Sequence, residues 1–229
     1  MNGFLKRIVL TAVILLISAM FCGCMAGSPD ELYCLPESSD RYIQIQNKVN
    51  ELLNSGLEYA APVSGYNRQA IQLHDLNGDG VEEAVVFVRT GSNDKKPLNI
   101  YILTDNNGEC FDVAAIIEGE GTSIDSVAYI DMNGDGMLEI VVGWQLTSSV
   151  KNFSIYSIKE YQPVQLATGG YSNYTYLDVD SDGNDEVVVI NTPTEENAGS
   201  ATMYMLMDDG DVISSSAYLS ISAERVSRM

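Results

Sequence analysis

The pattern Asp-x-Asn/Asp-x-Asp-Gly-x-x-Glu occurs three times, at residues 75–83, 131–139 and 178–186, and each copy runs straight into valine-rich residues. Oxygen side chains at positions one, three, five and nine, with a backbone carbonyl at position seven, suit a hard cation that takes six to eight oxygens. The glycine at position six, seen as Gly80, Gly136 and Gly183, permits the sharp turn that gathers those oxygens. One copy alone would equally suit an acidic β-turn, since Asn-Gly and Asp-Gly turn without metal. Three copies that keep every ligand position favour metal. Calcium suits them better than Mg²⁺, which keeps several waters and rarely uses an all-protein cage.

The same ligand order opens an EF-hand loop, which also requires a bidentate Glu at position twelve. This chain has Val86, Val142 and Val189 there, inside short β-branched runs such as Ala84-Val85-Val86-Phe87-Val88. Such runs, bounded by turn residues, predict buried strands rather than exiting helices. Residues 70–73, 127–130 and 174–177, which lead into the loops, are strand-like too. Each loop is therefore expected to join two β-strands.

The first Asp of the pattern recurs after 56 and then 47 residues, as Asp75, Asp131 and Asp178. Those spacings match one four-stranded propeller blade. Strand candidates fill each unit to four: 70–73, 84–90, 98–103 and 111–117; then 127–130, 139–145, 153–158 and 164–167; then 174–177, 186–191, 202–207 and 212–218. Asp105-Asn106-Asn107-Gly108 and Asp208-Asp209-Gly210 are turn signals between third and fourth strands, whereas Lys159-Glu160-Tyr161-Gln162-Pro163 is a less typical connection. The fold class expected is all-β, a propeller-like array of three four-stranded antiparallel blades (66–120, 121–170 and 171–219) with a short N-terminal helix. That helix, over 40–56, is marked by Tyr42, Ile45, Val49, Leu52 and Leu53 at helical spacing with Gly56 as a stop. Its apolar stripe is expected to pack on the β-domain.

Strand, Asp-rich loop and valine-rich strand together resemble FG-GAP or VCBS-type repeats, the calcium-bearing blades of β-propellers. The resemblance covers about residues 66–219; the Phe-Gly dipeptide and the Gly-Ala-Pro tripeptide are absent, which favours the bacterial VCBS-like branch. It implies up to three Ca²⁺ ions. The first would be held by Asp75, Asn77, Asp79, the carbonyl of Val81 and Glu83; the second by Asp131, Asn133, Asp135, the carbonyl of Met137 and Glu139. Asp178, Asp180, Asp182, the carbonyl of Asn184 and Glu186 would hold the third, whose four carboxylates predict the tightest binding. Three blades do not close a ring, since propellers typically have four to eight. A truncated propeller, self-association to complete a ring and an open array all remain open, and in the last case the N-terminal helix could cover one exposed β-edge.

Lys6 and Arg7 precede an apolar run over 8–21 that is shorter than a membrane span, which predicts a signal peptide over 1–23. Gly23-Cys24 resembles the end of a bacterial lipoprotein signal, with Cys24 lipidated and the chain anchored at the extracytoplasmic membrane face; plain secretion is the alternative. Residues 24–39, with Pro29 and Pro36, are expected to be a tether, and 220–229 a polar tail. Cys34 and Cys110 are the remaining thiols, with no spacing that shows whether they meet.

The formal charge of −20 becomes −22 without Lys6 and Arg7, so nucleic acid and anionic headgroups would be repelled. Catalytic signals are sparse: His74 is the single histidine, and no nucleophile elbow or phosphate-binding glycine loop occurs. Beside Asp75, His74 is expected to pack or to orient the loop. Trp144, Tyr171, Tyr174 and Tyr176 are expected to pack within blades, with 166–173 the best candidate for an exposed aromatic loop. The expected function is non-enzymatic binding of an extracellular protein or glycan. A surface enzyme acting on glycans, or a truncated paralogue without independent function, are the alternatives.

Overall fold

The computed structural model describes residues 40–91, 94–193, 198–207 and 209–219. The expected signal peptide, Cys24, the tether with Cys34, Asp208 of the third hairpin turn and the tail lie outside the described residues. The chain from Asp40 onward forms one compact unit. Its helix, α1, spans Asp40–Asn54. A two-residue strand β1 (Glu58–Tyr59) follows, and then twelve strands in three groups of four.

The first group is β2 (Ile71–His74), β3 (Glu83–Arg89), β4 (Leu98–Asn106) and β5 (Cys110–Gly119). The second is β6 (Ser123–Ile130), β7 (Glu139–Gln145), β8 (Lys151–Ser157) and β9 (Val164–Gly170). The third is β10 (Asn173–Leu177), β11 (Glu186–Asn191), β12 (Gly199–Leu206) and β13 (Val212–Leu219). Within each group neighbours in sequence pair antiparallel, giving three meandering sheets; β1 lengthens the first by pairing Tyr59 with Val88 beside β2. All twelve strands read from the sequence are present. The Asp-Asn-Asn-Gly turn closes β4 onto β5, with Asn107 and Gly108 both at positive φ and the amide of Glu109 donating to the carbonyl of Asn106, as a primed hairpin turn requires.

The sheets are laid face to face in a row, and the valine runs show why. Ala84, Val85, Val86, Phe87 and Val88 are all completely buried, which a strand achieves only when both of its faces are covered. One face of the first sheet (Ala84, Val86, Val88, Leu103, Phe111) receives Ile45 and Val49 of α1. The other (Val85, Phe87, Ile100, Ile102) meets Ile124, Val127, Ile140, Val142 and Trp144 of the second sheet. The far side of the second sheet (Ala128, Ile130, Val141, Phe153, Ile155) meets Val187, Val189 and Leu206 of the third. Among the described residues no core joins the third sheet to the first, so the row is open.

The apolar stripe of α1 packs on the β-domain as expected, while one open possibility and one residue of the stripe need correction. The helix covers a face of the first sheet rather than a β-edge, because its apolar stripe offers side chains to bury and no backbone donors or acceptors to pair. Tyr42 stays outside that stripe, 57% exposed, and at that end of the helix Arg41 lies over the Phe111 ring instead, 5.7 Å from its centroid. Residues 166–173 also depart from the exposed loop expected. Most of them belong to β9, and Tyr171 is buried against Phe153 because the third sheet stacks there. Trp144 packs as expected: it is buried, donates from Nε1 to Ser154 Oγ at 3.2 Å, and lies where any side chain on Gly119 would collide with its ring.

Candidate functional site

Each Asp-rich loop builds the same hydrogen-bond frame from its own nine residues. In the first, residues 75–83, the position-one carboxylate accepts from backbone amides ahead of it, Asp75 Oδ1 from Gly78 and Asp79 and Oδ2 from Gly80. Asp131 repeats this with Gly134 and Gly136, and Asp178 with Ser181 and Gly183. The position-three oxygen accepts from the amide at five, and the position-five carboxylate from the amide at seven, in all three loops. Position nine closes the frame: Glu83, Glu139 and Glu186 accept at Oε2 from the amides of Leu76, Met132 and Val179, at 2.9, 3.1 and 2.7 Å. The amides of Val81, Met137 and Asn184 are thus held by these frames, which places position seven of each loop beside the acidic side chains.

Position nine is the buried member of each set. Glu83, Glu139 and Glu186 are 1, 2 and 3% exposed, because each opens a strand that runs into the core. Desolvation pushes the Glu139 carboxyl up to about 7, with further raising by Asp135 and Asp131, and it raises Glu83 in the same sense. Clustered acids around a buried carboxyl are an arrangement that a divalent cation relieves. The donor set, all oxygen with two or three further acids within a nine-residue turn, fits calcium. In the third loop, ligand oxygens of Asp178, Asp180 and Glu186 already lie within 4.8 Å of one another.

The loops also stack. The positive φ at position four, +74° at Gly78 and +73° at Gly134, recurs at Ser181 with +67°. A Cβ on Gly78 would sit 2.6 Å from the carbonyl oxygen of Gly136, and one on Gly134 2.6 Å from Asn184 Oδ1. Position four of the first and second loops is therefore pressed by the loop that follows. The amide of Leu138 donates to the carbonyl of Leu76 across the first such junction, at 3.0 Å.

Tyr161, which sequence reasoning did not single out, joins the first loop from 78 positions away. Its hydroxyl donates to Glu83 Oε1 at 2.8 Å and accepts from Asn77 Nδ2 at 3.0 Å, with Thr104 Oγ1 at 3.2 Å. The 3-10 turn Lys159–Tyr161 aims it, with Glu160 and Tyr161 at φ of +52° and +55°. The only sequence signal was the atypical connection over 159–163. His74 behaves as a packing residue: its ring lies 3.7 Å from that of Tyr129, and burial lowers its pKa while Glu82 opposes the shift. Cys110 is exposed at the start of β5.

No curated protein matches the chain. Residues 75–142, from the first Asp of the first loop through the second loop and into β7, match the family model described as an FG-GAP-like repeat.

Proposed function

We propose that this chain is a calcium-stabilised binding module of the extracytoplasmic face, its three sheets being consecutive blades of a β-propeller arc and Cys24 its lipid anchor. One observation carries the reading: three loops of one hydrogen-bond frame place a buried glutamate among less buried acids, and in the third Asp178, Asp180 and Glu186 converge within 4.8 Å. Asp75, Asn77, Asp79 and Glu83 would hold one ion, with Asp131, Asn133, Asp135 and Glu139, and Asp178, Asp180, Asp182 and Glu186, holding two more. Carbonyls of Val81, Met137 and Asn184 would complete the sets. The cation would cancel repulsion among these acids and tie the first two strands of each blade together, leaving the sheet surfaces to recognise a protein or glycan rather than to perform a reaction. The match of residues 75–142 to an FG-GAP-like repeat supports the blade architecture.

Thermal unfolding in millimolar calcium and in EGTA tests the metal. Calcium should raise the Tm, because an ion bound only by the folded chain stabilises it by mass action. An identical Tm in both buffers would overturn the reading.

A further inference from the structure

Opposite the Asp-rich loops, where β6 and β10 begin, the molecule has a cavity of about 430 Å³ between the second and third sheets and the segment 64–67. A β-bulge builds its floor. On β6, Ile124 pairs with Trp144 and Ser126 with Gly143, so Asp125 is the unpaired extra residue, and its side chain is turned away from the ladder. Asp125 is 6% exposed, and its Oδ2 accepts from both Lys151 Nζ at 2.9 Å and the Tyr171 hydroxyl at 2.6 Å. Those partners lie 26 and 46 positions away, on β8 and just before β10. Gly143 makes the meeting sterically feasible: a Cβ there would lie 2.1 Å from the Tyr171 oxygen.

Three properties set what such a floor would accept. Asp125 and Lys151 neutralise each other, so it attracts neither free cations nor anions strongly. Among the described residues Asp125 Oδ1 has no hydrogen-bond partner, and Lys151 Nζ has donors to spare beyond the one engaged, so acceptor and donor lie side by side. Two tyrosines with accessible rings line the same cavity: Tyr66, 95% exposed, from the segment 64–67 and Tyr176, 42% exposed, from β10. A buried ion pair is weak evidence for stability, since desolvation offsets much of its attraction. One opening onto a cavity lined by accessible tyrosines is better explained by a ligand.

We infer that this cavity is a binding site for a neutral saccharide, whose hydroxyl groups would engage Asp125 and Lys151 while its C–H face lies on Tyr66 or Tyr176. A sugar is both donor and acceptor at each hydroxyl, which answers the paired floor, and it carries no charge for the strongly acidic protein to repel. The cavity is within the range of small-ligand sites, roughly 300–1,000 Å³. The inference rests on the binding-module reading and gives that module a ligand class and a location distinct from the metal loops.

The test uses the full chain in a polyoxyethylene detergent, which offers neither sugar nor cation. Cellobiose, maltose and lactose are the probes by saturation-transfer NMR and calorimetry, with tetramethylammonium and glucuronate as charged controls, each in calcium and in EGTA. At least one neutral disaccharide should bind, and at least one of Tyr66→Ala and Tyr176→Ala should weaken it by about tenfold, Tyr66→Ala without moving the Tm. Tyr66 is almost wholly exposed, so its loss leaves the fold intact. Silence from all three sugars with folded protein overturns the inference, as does binding that both variants leave unchanged or a preference for either charged control. Sugar binding without a calcium shift in Tm would instead remove the metal from the proposed function and leave this site standing; a calcium shift without sugar binding would do the reverse.

Discussion

The first and third Asp-rich loops share a sequence pattern and a backbone frame, yet they stand in different surroundings. In the first, Asn77 and Glu83 are joined by the Tyr161 hydroxyl, and the second loop lies against Gly78, so protein contacts already hold the loop shut. In the third, aspartate replaces asparagine at position three, three carboxylates face one another, and Ser181 stands where the earlier loops have glycine. The sheets that carry them differ in the same sense. Val86 and Val88 of β3 are sealed under α1, whereas Val188 and Ile190 of β11 are only half-buried, with no layer beyond them among the described residues. The comparison teaches that one motif is held by packing at the capped end of the row and presents a less covered cluster of carboxylates at the open end, where the proposed cation would matter most.

The sharpest way to break this comparison is Gly78→Ala. The substitution forces a side chain into both a positive φ and the Gly136 carbonyl, and it should cost about 2–4 kcal/mol, read as a fall in the denaturant midpoint with an unchanged slope. A cost below about 1 kcal/mol would mean that the loops are not pressed together. Tyr161→Phe comes next. It leaves the buried Glu83 Oε1 with only the longer 3.5 Å bond from Asn77 Nδ2 and should destabilise by about 1–3 kcal/mol in EGTA, with calcium recovering part of the loss. Equal losses with and without calcium would separate Tyr161 from the metal-binding role proposed for the first loop. The smallest effect sharpens the other end: Ser181→Gly relieves a positive φ at an exposed position, and should stabilise by about 1 kcal/mol. Destabilisation by that change would show that the Ser181 side chain has a contact of its own.

Much of this architecture was legible because its determinants are local. Strict alternation of apolar and polar residues was not needed: runs such as Ile140-Val141-Val142 are β-branched, short, and preceded by Asp-Gly turns, so strand, turn and strand follow from neighbouring residues. The shared geometry of the frames has the same origin, since each Asp or Asn oxygen accepts from amides two to five positions ahead and each glutamate from the amide seven positions behind. The connection over 159–163 was legible but its backbone geometry was not, because Glu160 and Tyr161 adopt positive φ without the glycine or asparagine that normally announces it. Nor was the bulge at Asp125, which depends on where β6 meets β7, or the burial of Tyr171, which depends on the third sheet stacking over Phe153.

By itself the sequence determined three metal-type loops, the strands on either side of them and the exclusion of an EF-hand, all from residues close along the chain. Only the tertiary structure decided that α1 seals a face, that Tyr161 closes the first loop, and that Asp125, Lys151 and Tyr171 meet at one cavity. The physical reason is range: hydrogen bonds within a nine-residue turn are set by local backbone geometry, whereas contacts between distant side chains exist only once stacked sheets have brought their strands into register.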